Sequence, residues 1–357
     1  MISTRQKLIP FLLSSLLSFS AISSAEEHEE IEKEEKKPFA TWDVLNPPMT
    51  LSNVEINTNE TTWSSLDVSP DGKQFVFDML GDIFIASTDG GEAKALTQDF
   101  AWNIQPAISP NGNQLAFISD RDGLSNVWVM DINGENLRQV TKEKENLIHS
   151  PKWSPDGEYI VVNKGIMSSR SIPAGEIWLY HQSGGNGLAI KERVSGKVDQ
   201  KNITDPVFSP DGQYIYYTQD VSGGSQFSYN RDALQGLFAI IRYDRETGEE
   251  ERYISGTGGA VVPTPSPDGK YVAFVRRVKS KTALFLKDIK SGDEKAIFME
   301  LERDMQEGFG SEGYFAYFDW TPDSEQIMFW TGGKFHKLSI KNKSLTTLDL
   351  NIKTTVQ

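Results

Sequence analysis

The chain has 357 residues and a formal net charge of -14 at pH 7, with 50 acidic against 36 basic side chains and no cysteine. The acidic balance argues against a nucleic-acid partner, because a protein that binds phosphates needs a basic surface. The lack of cysteine excludes disulfide bonds and thiol catalysis, so a buried core must stabilise the fold without covalent cross-links.

Residues 1–25 have the three parts of a secretory signal peptide. Arg5 and Lys7 precede an apolar run over 8–22, and small residues ending at Ala25 come before Glu26. The alternative is a membrane anchor, but four serines interrupt the run and it is short for a span. We therefore predict cleavage near Ala25-Glu26, export to the periplasm or beyond, and no transmembrane span after cleavage.

Residues 26–48 predict an acidic linker. The stretch from Glu26 to Lys37 holds seven Glu and three Lys and almost nothing to bury, which is typical of a solvated tether. An interaction tail is the alternative. After the linker, residues 51–56 alternate as a strand does, and residues 49–357 read as one domain.

A tetrapeptide close to Ser-Pro-Asp-Gly recurs six times in this domain, with prolines 40, 45, 55, 57 and 55 residues apart. The four residue types suit successive positions of a type I turn. The sixth copy, at 321–324, is weaker. The predicted turn residues are Pro70, Asp71 and Gly72; Pro110 and Gly112; Pro155, Asp156 and Gly157; Pro210, Asp211 and Gly212; and Pro267, Asp268 and Gly269.

Short apolar and alternating runs flank each turn, giving four predicted strands per repeat. Four strands in a period of roughly 40 to 55 residues indicate radial repetition about a channel. Four repeats carry a proline four residues before the turn proline, and a strand that contains proline must lie at an edge. The sequence therefore predicts an all-β fold, a six-bladed β-propeller of four-stranded blades, in which the strand at 51–56 joins the last blade.

The connections of such a propeller lie on two faces, which differ in this sequence. On the turn face, which carries the six tetrapeptides, every connection is short and glycine-rich, as expected of a structural surface. On the loop face the connections at 163–176, 219–236 and 299–317 are long, and long ordered loops are commonly functional. The predicted binding residues of the loop face are Arg121, Arg170, Tyr229, Arg231, Arg276, Arg277, Asp304, Gln306 and Glu307.

The arginines of this set suggest a basic patch that binds carboxylates, with scattered surface arginine as the alternative. The tryptophans, from Trp63 to Trp330, fall mainly in strands and are expected to pack between blades.

No catalytic or metal site is predicted. The four histidines are not paired, and no serine lies in a Gly-x-Ser-x-Gly elbow. We therefore expect no cofactor. The alternative is a calcium ion held by oxygen ligands at the channel, as in some propeller enzymes. The candidate ligands would be Asp67, Asn103, Asp205, Asp319 and Glu307.

The repeats, with Ser119-Asp120-Arg121-Asp122-Gly123, resemble the TolB-like propellers of TolB and the tricorn protease from Thr62 to about Leu350. The chain also resembles the propeller that precedes the hydrolase barrel in secreted imidazolonepropionase-like amidohydrolases. This second resemblance is carried by residues 65–72, 175–181, 263–270, 274–278 and 303–307. The barrel of those enzymes is missing from this chain, and a metal ion would belong to it.

The resemblance implies a non-catalytic module for binding, scaffolding and access filtering. Its partner would be a hydrolase domain or another protein that docks on the loop face. Two alternatives remain open: a free-standing partner-binding propeller of the TolB kind, and a calcium-dependent propeller hydrolase such as a lactonase.

Overall fold

A computed structural model describes residues 43–168, 172–193, 198–229 and 231–356. The predicted signal peptide and most of the predicted acidic linker lie outside the described residues, as does Arg170. Among the described residues, no helix is long and apolar enough to cross a membrane.

Six sheets, each containing four antiparallel strands of one blade, confirm the predicted six-bladed propeller. Strand β1 (Val54–Thr58) precedes blade 1, which contains β2 (Leu66–Val68), β3 (Gln74–Met79), β4 (Asp82–Ser87) and β5 (Gly91–Ala95). Blade 2 contains β6 (Asn103–Ile108), β7 (Gln114–Ser119), β8 (Asn126–Asp131) and β9 (Arg138–Gln139). Blade 3 contains β10 (Leu147–Trp153), β11 (Tyr159–Met167), β12 (Pro173–His181) and β13 (Leu188–Lys191).

The second half of the chain repeats this order. Blade 4 contains β14 (Ile203–Phe208), β15 (Tyr214–Asp220), β16 (Phe238–Asp244) and β17 (Glu250–Ile254). Blade 5 contains β18 (Val261–Pro265), β19 (Tyr271–Val278), β20 (Lys281–Asp288) and β21 (Glu294–Leu301). Blade 6 contains β22 (Asp319–Trp320), β23 (Gln326–Thr331), β24 (Lys334–Ser339) and β25 (Leu345–Thr347), and β26 (Leu350–Val356) ends the chain.

The tetrapeptide forms the turn between the first two strands of each blade. In blade 1 the Gly72 amide donates to the Ser69 carbonyl at 2.8 Å, and the Ser69 hydroxyl donates to Asp71 at 2.7 Å. The same hydroxyl accepts the Gln74 amide at 3.0 Å, which fixes the start of the second strand. Gly72 has a φ of 72°, a conformation that favours glycine.

The prolines before the turns lie in first strands, which are at the edge of each sheet as predicted. In blades 2 to 5 the residue before this proline has a φ between 54° and 59°. The strand register shifts at the same point in all four blades. These are β-bulges, which redirect the side chains of an edge strand; the residues concerned are Gln105, Ser150, Asp205 and Val262.

The prediction that the strand near residues 51–56 joins the last blade is wrong. β1 pairs with β26, and β26 pairs in parallel with β5 of blade 1. The two strands therefore cover the outer edge of blade 1, whose backbone groups would otherwise be free to pair with another chain. Leu350 and Ile352 of β26 are buried, which explains why the pairing occurs there.

Aromatic side chains fill the space between neighbouring blades. Phe335 of blade 6 packs on Phe75 and Phe77 of blade 1, with ring centroids 5.2 and 4.9 Å apart. Tryptophans also contribute, and Trp320 and Trp330 are buried as expected. Trp63 and Trp102 are instead partly exposed.

We predict that Ile352→Ala lowers the free energy of unfolding by about 2–5 kcal/mol, because it leaves a cavity at the edge of blade 1. Urea unfolding measures this. Lys353→Ala, one residue further along the same strand and exposed, is the matched control and should change stability by less than about 0.5 kcal/mol. Equal effects of the two variants would contradict the pairing of β26 with blade 1.

Candidate functional site: the channel and its two ends

Two rings of side chains from the first strands line the channel. The first ring comes from the position two residues before each turn Ser or Thr, and the second ring from the position four residues before it. The first ring consists of Asp67, Ala107, Lys152, Val207, Thr264 and Asp319. The second ring consists of Ser65, Gln105, Ser150, Asp205, Val262 and Tyr317.

Charges in the first ring are held in a buried network. The Lys152 ammonium donates to Asp67 at 2.7 Å. The second Asp67 oxygen accepts the Ile108 amide at 2.8 Å, and Asp319 accepts the Val68 amide at 2.9 Å. Burial and the neighbouring Asp67 charge raise the pKa of Asp319 to about 7. Burial lowers the pKa of Lys152, but Asp67 and Asp319 raise it above the usual value.

Residues 310–317, which we call the plug, cross the channel at the second ring. The Tyr317 hydroxyl donates to Asp205 at 3.0 Å and contacts the Ser150 hydroxyl. The Gln105 amide donates to the Glu312 carbonyl at 2.6 Å. The plug therefore bridges several blades. Passage through the channel would require the plug to move.

On the turn face, the channel ends in a cavity of about 290 Å³, which we call the turn-end cavity. The first ring and Asp205 lie at its inner end. Turn prolines form its rim: Pro110, Pro155, Pro210 and Pro267.

On the loop face, the channel ends in a recess of about 170 Å³, which we call the loop-end recess. Its wall exposes Trp63 (38%), Leu80 (49%) and Trp102 (52%). The Trp102 ring lies so close to Gly81 that a Cβ there would come within 2.7 Å of it, so only glycine allows this contact. Phe315 packs beside Trp63 with ring centroids 5.7 Å apart.

Two carboxyl groups line the same recess. Asp78 accepts the Ser65 and Gln105 amides, each at 2.8 Å, and burial raises its pKa to about 7. Burial also raises the pKa of Glu312. In the described ranges, the Glu312 carboxylate has neither a hydrogen bond nor an ion pair, so it is available to a partner.

Most of the arginines predicted to bind at the loop face are buried in ion pairs. Arg121 pairs with Asp99 at 3.1 Å and also bonds Asn103, and Arg231 pairs with Asp220 at 2.7 Å. Their side chains are almost fully covered. The described arginines therefore do not form the predicted basic patch, because carboxylates of the fold neutralise their guanidinium groups.

Two more of the predicted arginines, Arg276 and Arg277, lie in β19 of blade 5. Arg277 bonds the buried Asp304 through two nitrogens, at 2.9 and 2.8 Å, and Glu307 at 2.6 Å. Arg276 pairs with Glu294 at 2.7 Å. Gln306 is buried and donates to the Gly258 carbonyl at 3.1 Å. These residues hold the crossing from blade 5 to blade 6 in place.

Tyr229 differs from the rest of the predicted set because it is 74% exposed. It lies in the blade 4 loop over 221–237, where its ring packs on Phe227 at 5.2 Å. The predicted loop at 163–176 is wrong, since β11 and β12 extend over most of it as a hairpin. Sequence reasoning missed the exposure of Trp63 and Trp102 and the free carboxylate of Glu312.

The residues that the structure describes include no group of three or more His, Asp or Glu side chains able to hold a metal ion. Most of the oxygens proposed for calcium have other partners. Asp67 bonds Lys152 and a backbone amide, and Asp319 bonds backbone amides. Asn103 bonds Arg121 and Glu307 bonds Arg277, whereas Oδ2 of the buried Asp205 has no hydrogen-bond partner among the described residues.

We predict that Arg277→Met lowers the free energy of unfolding by about 3–5 kcal/mol, because Asp304 would remain buried without its partner. Urea unfolding measures this, and Arg303→Ala is the control, since Arg303 is an exposed neighbour that bonds the same Glu307. Unchanged stability in Arg277→Met would mean that Arg277 is free to serve a partner.

We predict that Asp205 makes stability fall as pH rises from about 4 to about 6. Burial raises the pKa of Asp205 to about 6 from an ordinary 3.8, more than nearby hydroxyls lower it. The folded state therefore holds the proton in this range while the unfolded state releases it. The stabilisation is complete below pH 4 and is lost as pH passes 6, a change of about 3 kcal/mol at most.

Unfolding free energies of Asp205→Asn between pH 4 and 7 test this. Asparagine retains the left-handed backbone that Asp205 adopts, and the variant should lack this part of the pH dependence. Asp211→Asn, in an exposed turn, is the control and should keep it. An unaltered slope in Asp205→Asn would show that Asp205 is ionised throughout.

Comparisons with known proteins agree with this architecture. The profile of the TolB beta propeller domain (PD40) matches residues 50–178. A TolB homolog of Chlorobium chlorochromatii is 25% identical over 52% of this chain and 37% of its own length. A tricorn protease homolog of Saccharolobus solfataricus is 24% identical over 82% of this chain and 27% of its own.

This chain spans 25% to 53% of the length of the first curated relatives. Among solved structures, TolB from Acinetobacter baumannii superposes with a TM-score of 0.57 at 18% identity, covering 81% of this chain and 65% of that one. At 18% identity, this similarity shows a shared fold only. The described part of the chain is a six-bladed β-propeller with the TolB-like PD40 fold.

Proposed function

We propose that this chain is a non-catalytic, protein-binding propeller whose loop face docks a partner polypeptide. The observation that carries the proposal is the loop-end recess, where two tryptophans and a leucine stay exposed around a free carboxylate. Exposed aromatic side chains in a concave site are the usual anchors of protein interfaces.

More large apolar side chains are exposed on the loop face than on the turn face, which favours the loop face as the docking surface. The turn-face set is Leu137, Tyr159, Leu188 and Leu345. The loop-face set is larger and contains the residue types enriched in interfaces, Trp, Tyr and Met: Trp63, Leu80, Trp102, Met167, Val198, Tyr229, Leu234 and Met305.

The charge of the recess indicates what kind of segment it takes. Glu312 lies beside Trp63 and Trp102, and the whole chain is acidic. A cation between a carboxylate and aromatic rings gains both charge pairing and cation–π attraction. The partner segment should therefore carry a lysine or arginine next to an apolar residue.

We infer further that the partner is a hydrolase domain. The match to only a quarter of a curated protein named as an uncharacterized peptidase, from Bacillus subtilis, supports a propeller that accompanies a catalytic part. The amidohydrolase type and export to the periplasm rest on the resemblance and on residues 1–25. A free-standing propeller that binds a separate protein is the second form of the same proposal, and the intact mass of the native protein distinguishes the two.

We predict that peptides selected from a random displayed library against the purified propeller carry Lys or Arg next to an aromatic or aliphatic residue. Fluorescence anisotropy of such a peptide should show at least tenfold weaker binding to Trp102→Ala and to Glu312→Gln. Both side chains are exposed, so these changes should leave the fold intact.

Leu188→Ala on the turn face is the matched control and should bind the peptide as the unaltered protein does. Selected peptides without a basic residue would contradict the recess as a cation-binding anchor. Equal losses in Leu188→Ala and Trp102→Ala would contradict docking on the loop face.

A further inference from the structure

The turn-end cavity holds more buried negative charge than its own residues neutralise. Its charged groups are Asp67 and Asp319 of the first ring, Asp205 of the second ring, and Lys152. Three carboxylates against one ammonium leave a formal excess of two negative charges when all are ionised. Buried charges are normally paired, because an unpaired charge is costly in a poorly solvated site.

Lys152 shows which group the cavity accepts. Its ammonium donates to Asp67 at 2.7 Å and lies 5.5 Å from the centre of the Tyr317 ring. Asp319 instead accepts only backbone amides, from Val68 and Trp320. Amides supply hydrogen bonds but no full positive charge, so Asp319 has no cation of its own beyond the shared Lys152.

Asp205 supplies an independent observation. Only 4% of the residue is exposed, and its Oδ1 accepts the Tyr317 and Thr204 hydroxyls at 3.0 and 3.2 Å. Its Oδ2 has no hydrogen-bond partner among the described residues, although the Thr218 hydroxyl and the Val262 amide lie near the carboxyl group and lower its pKa. Buried carboxylate oxygens without a donor are uncommon, which indicates a donor that binds from the cavity.

The shape of the cavity restricts the donor. Three first-ring positions carry small or uncharged side chains, Ala107, Val207 and Thr264, and so leave room beside the charged ones. The rim of prolines is apolar. Because no described group of three ligands could hold a metal ion, a cation with an apolar stem fits better than a bare ion.

We propose that the turn-end cavity binds a primary alkylammonium group, whose nitrogen donates to Asp205 and lies between Asp205 and Asp319 while its carbon chain contacts the proline rim. This chemistry is shared by the lysine side chain of a polypeptide and by a short diamine. The site is separate from the loop-end recess, because the plug lies between them.

The first test is calorimetric titration at pH 7.5 with n-butylammonium, 1,4-diaminobutane and N-acetyl-lysine methylamide, and with 1-butanol as the uncharged control. The amines should bind and the alcohol should not. Asp205→Asn should weaken amine binding at least tenfold, while Asp211→Asn should leave it unchanged. Stronger binding of the lysine derivative points to a polypeptide ligand, and stronger binding of the diamine to a free one.

A second test compares two variants at position 264. Position 264 is the blade 5 equivalent of Lys152, so Thr264→Lys places a tethered ammonium in the ring, and Thr264→Met fills similar space without charge. Thr264→Lys should have the higher melting temperature of the two, and should no longer bind n-butylammonium.

Two outcomes overturn the proposal. One is that no amine binds at 50 mM, or that a folded Asp205→Asn variant binds the amines as tightly as the unaltered protein. The other is a Thr264→Lys variant that melts below Thr264→Met. If Asp205→Asn fails to fold, the comparison at position 264 decides. Neither outcome bears on peptide binding at the loop face, so the two proposals can fail separately.

Discussion

The structure depends on how the inner edge of each blade is satisfied. A first strand has a neighbour on one side only, so amides on its other side must find partners without a further strand. Side chains of the adjacent blade take this role. In blades 3 and 5 they are uncharged: the Gln105 side-chain oxygen accepts the Ser150 amide, and the Thr218 hydroxyl accepts the Val262 amide. In blades 1 and 2 they are carboxylates: Asp319 accepts the Val68 amide, Asp67 accepts the Ile108 amide, and Asp78 accepts the Gln105 amide. Hydrogen bonds to charged groups are about twice as strong as neutral ones, so these contacts stabilise the joints between blades.

The same arrangement explains the chemistry of the channel. Carboxylates that serve backbone amides must be buried near the axis, and their charge then accumulates there. Lys152 neutralises part of it in the first ring. The plug separates the remaining negative charge into two sites. One is the turn-end cavity, which has a rim of prolines, and the other is the loop-end recess, whose wall contains tryptophans. One structural requirement thus produces two sites with different apolar surroundings.

The repeated turn was enough to predict the propeller, the number of blades and the edge position of the proline-bearing strands. It also fixes the two rings, because each ring lies at a constant distance before the turn. Other features depend on contacts between distant residues. Arg277 and Asp304 are 27 positions apart. The sequence therefore showed a group of arginines but not the carboxylates that pair with them in the fold. β26 could have paired with any free edge, because alternation specifies a strand but not its neighbour.

The central claim is that the loop face is the protein-binding surface of this propeller. Hydrogen–deuterium exchange of the propeller, with and without a bound basic peptide, tests it most directly. The account predicts slower exchange at residues 61–66, 79–82, 100–104 and 310–317, around the loop-end recess. Slower exchange confined to the tetrapeptide turns, with no change around Trp63 and Trp102, would contradict it.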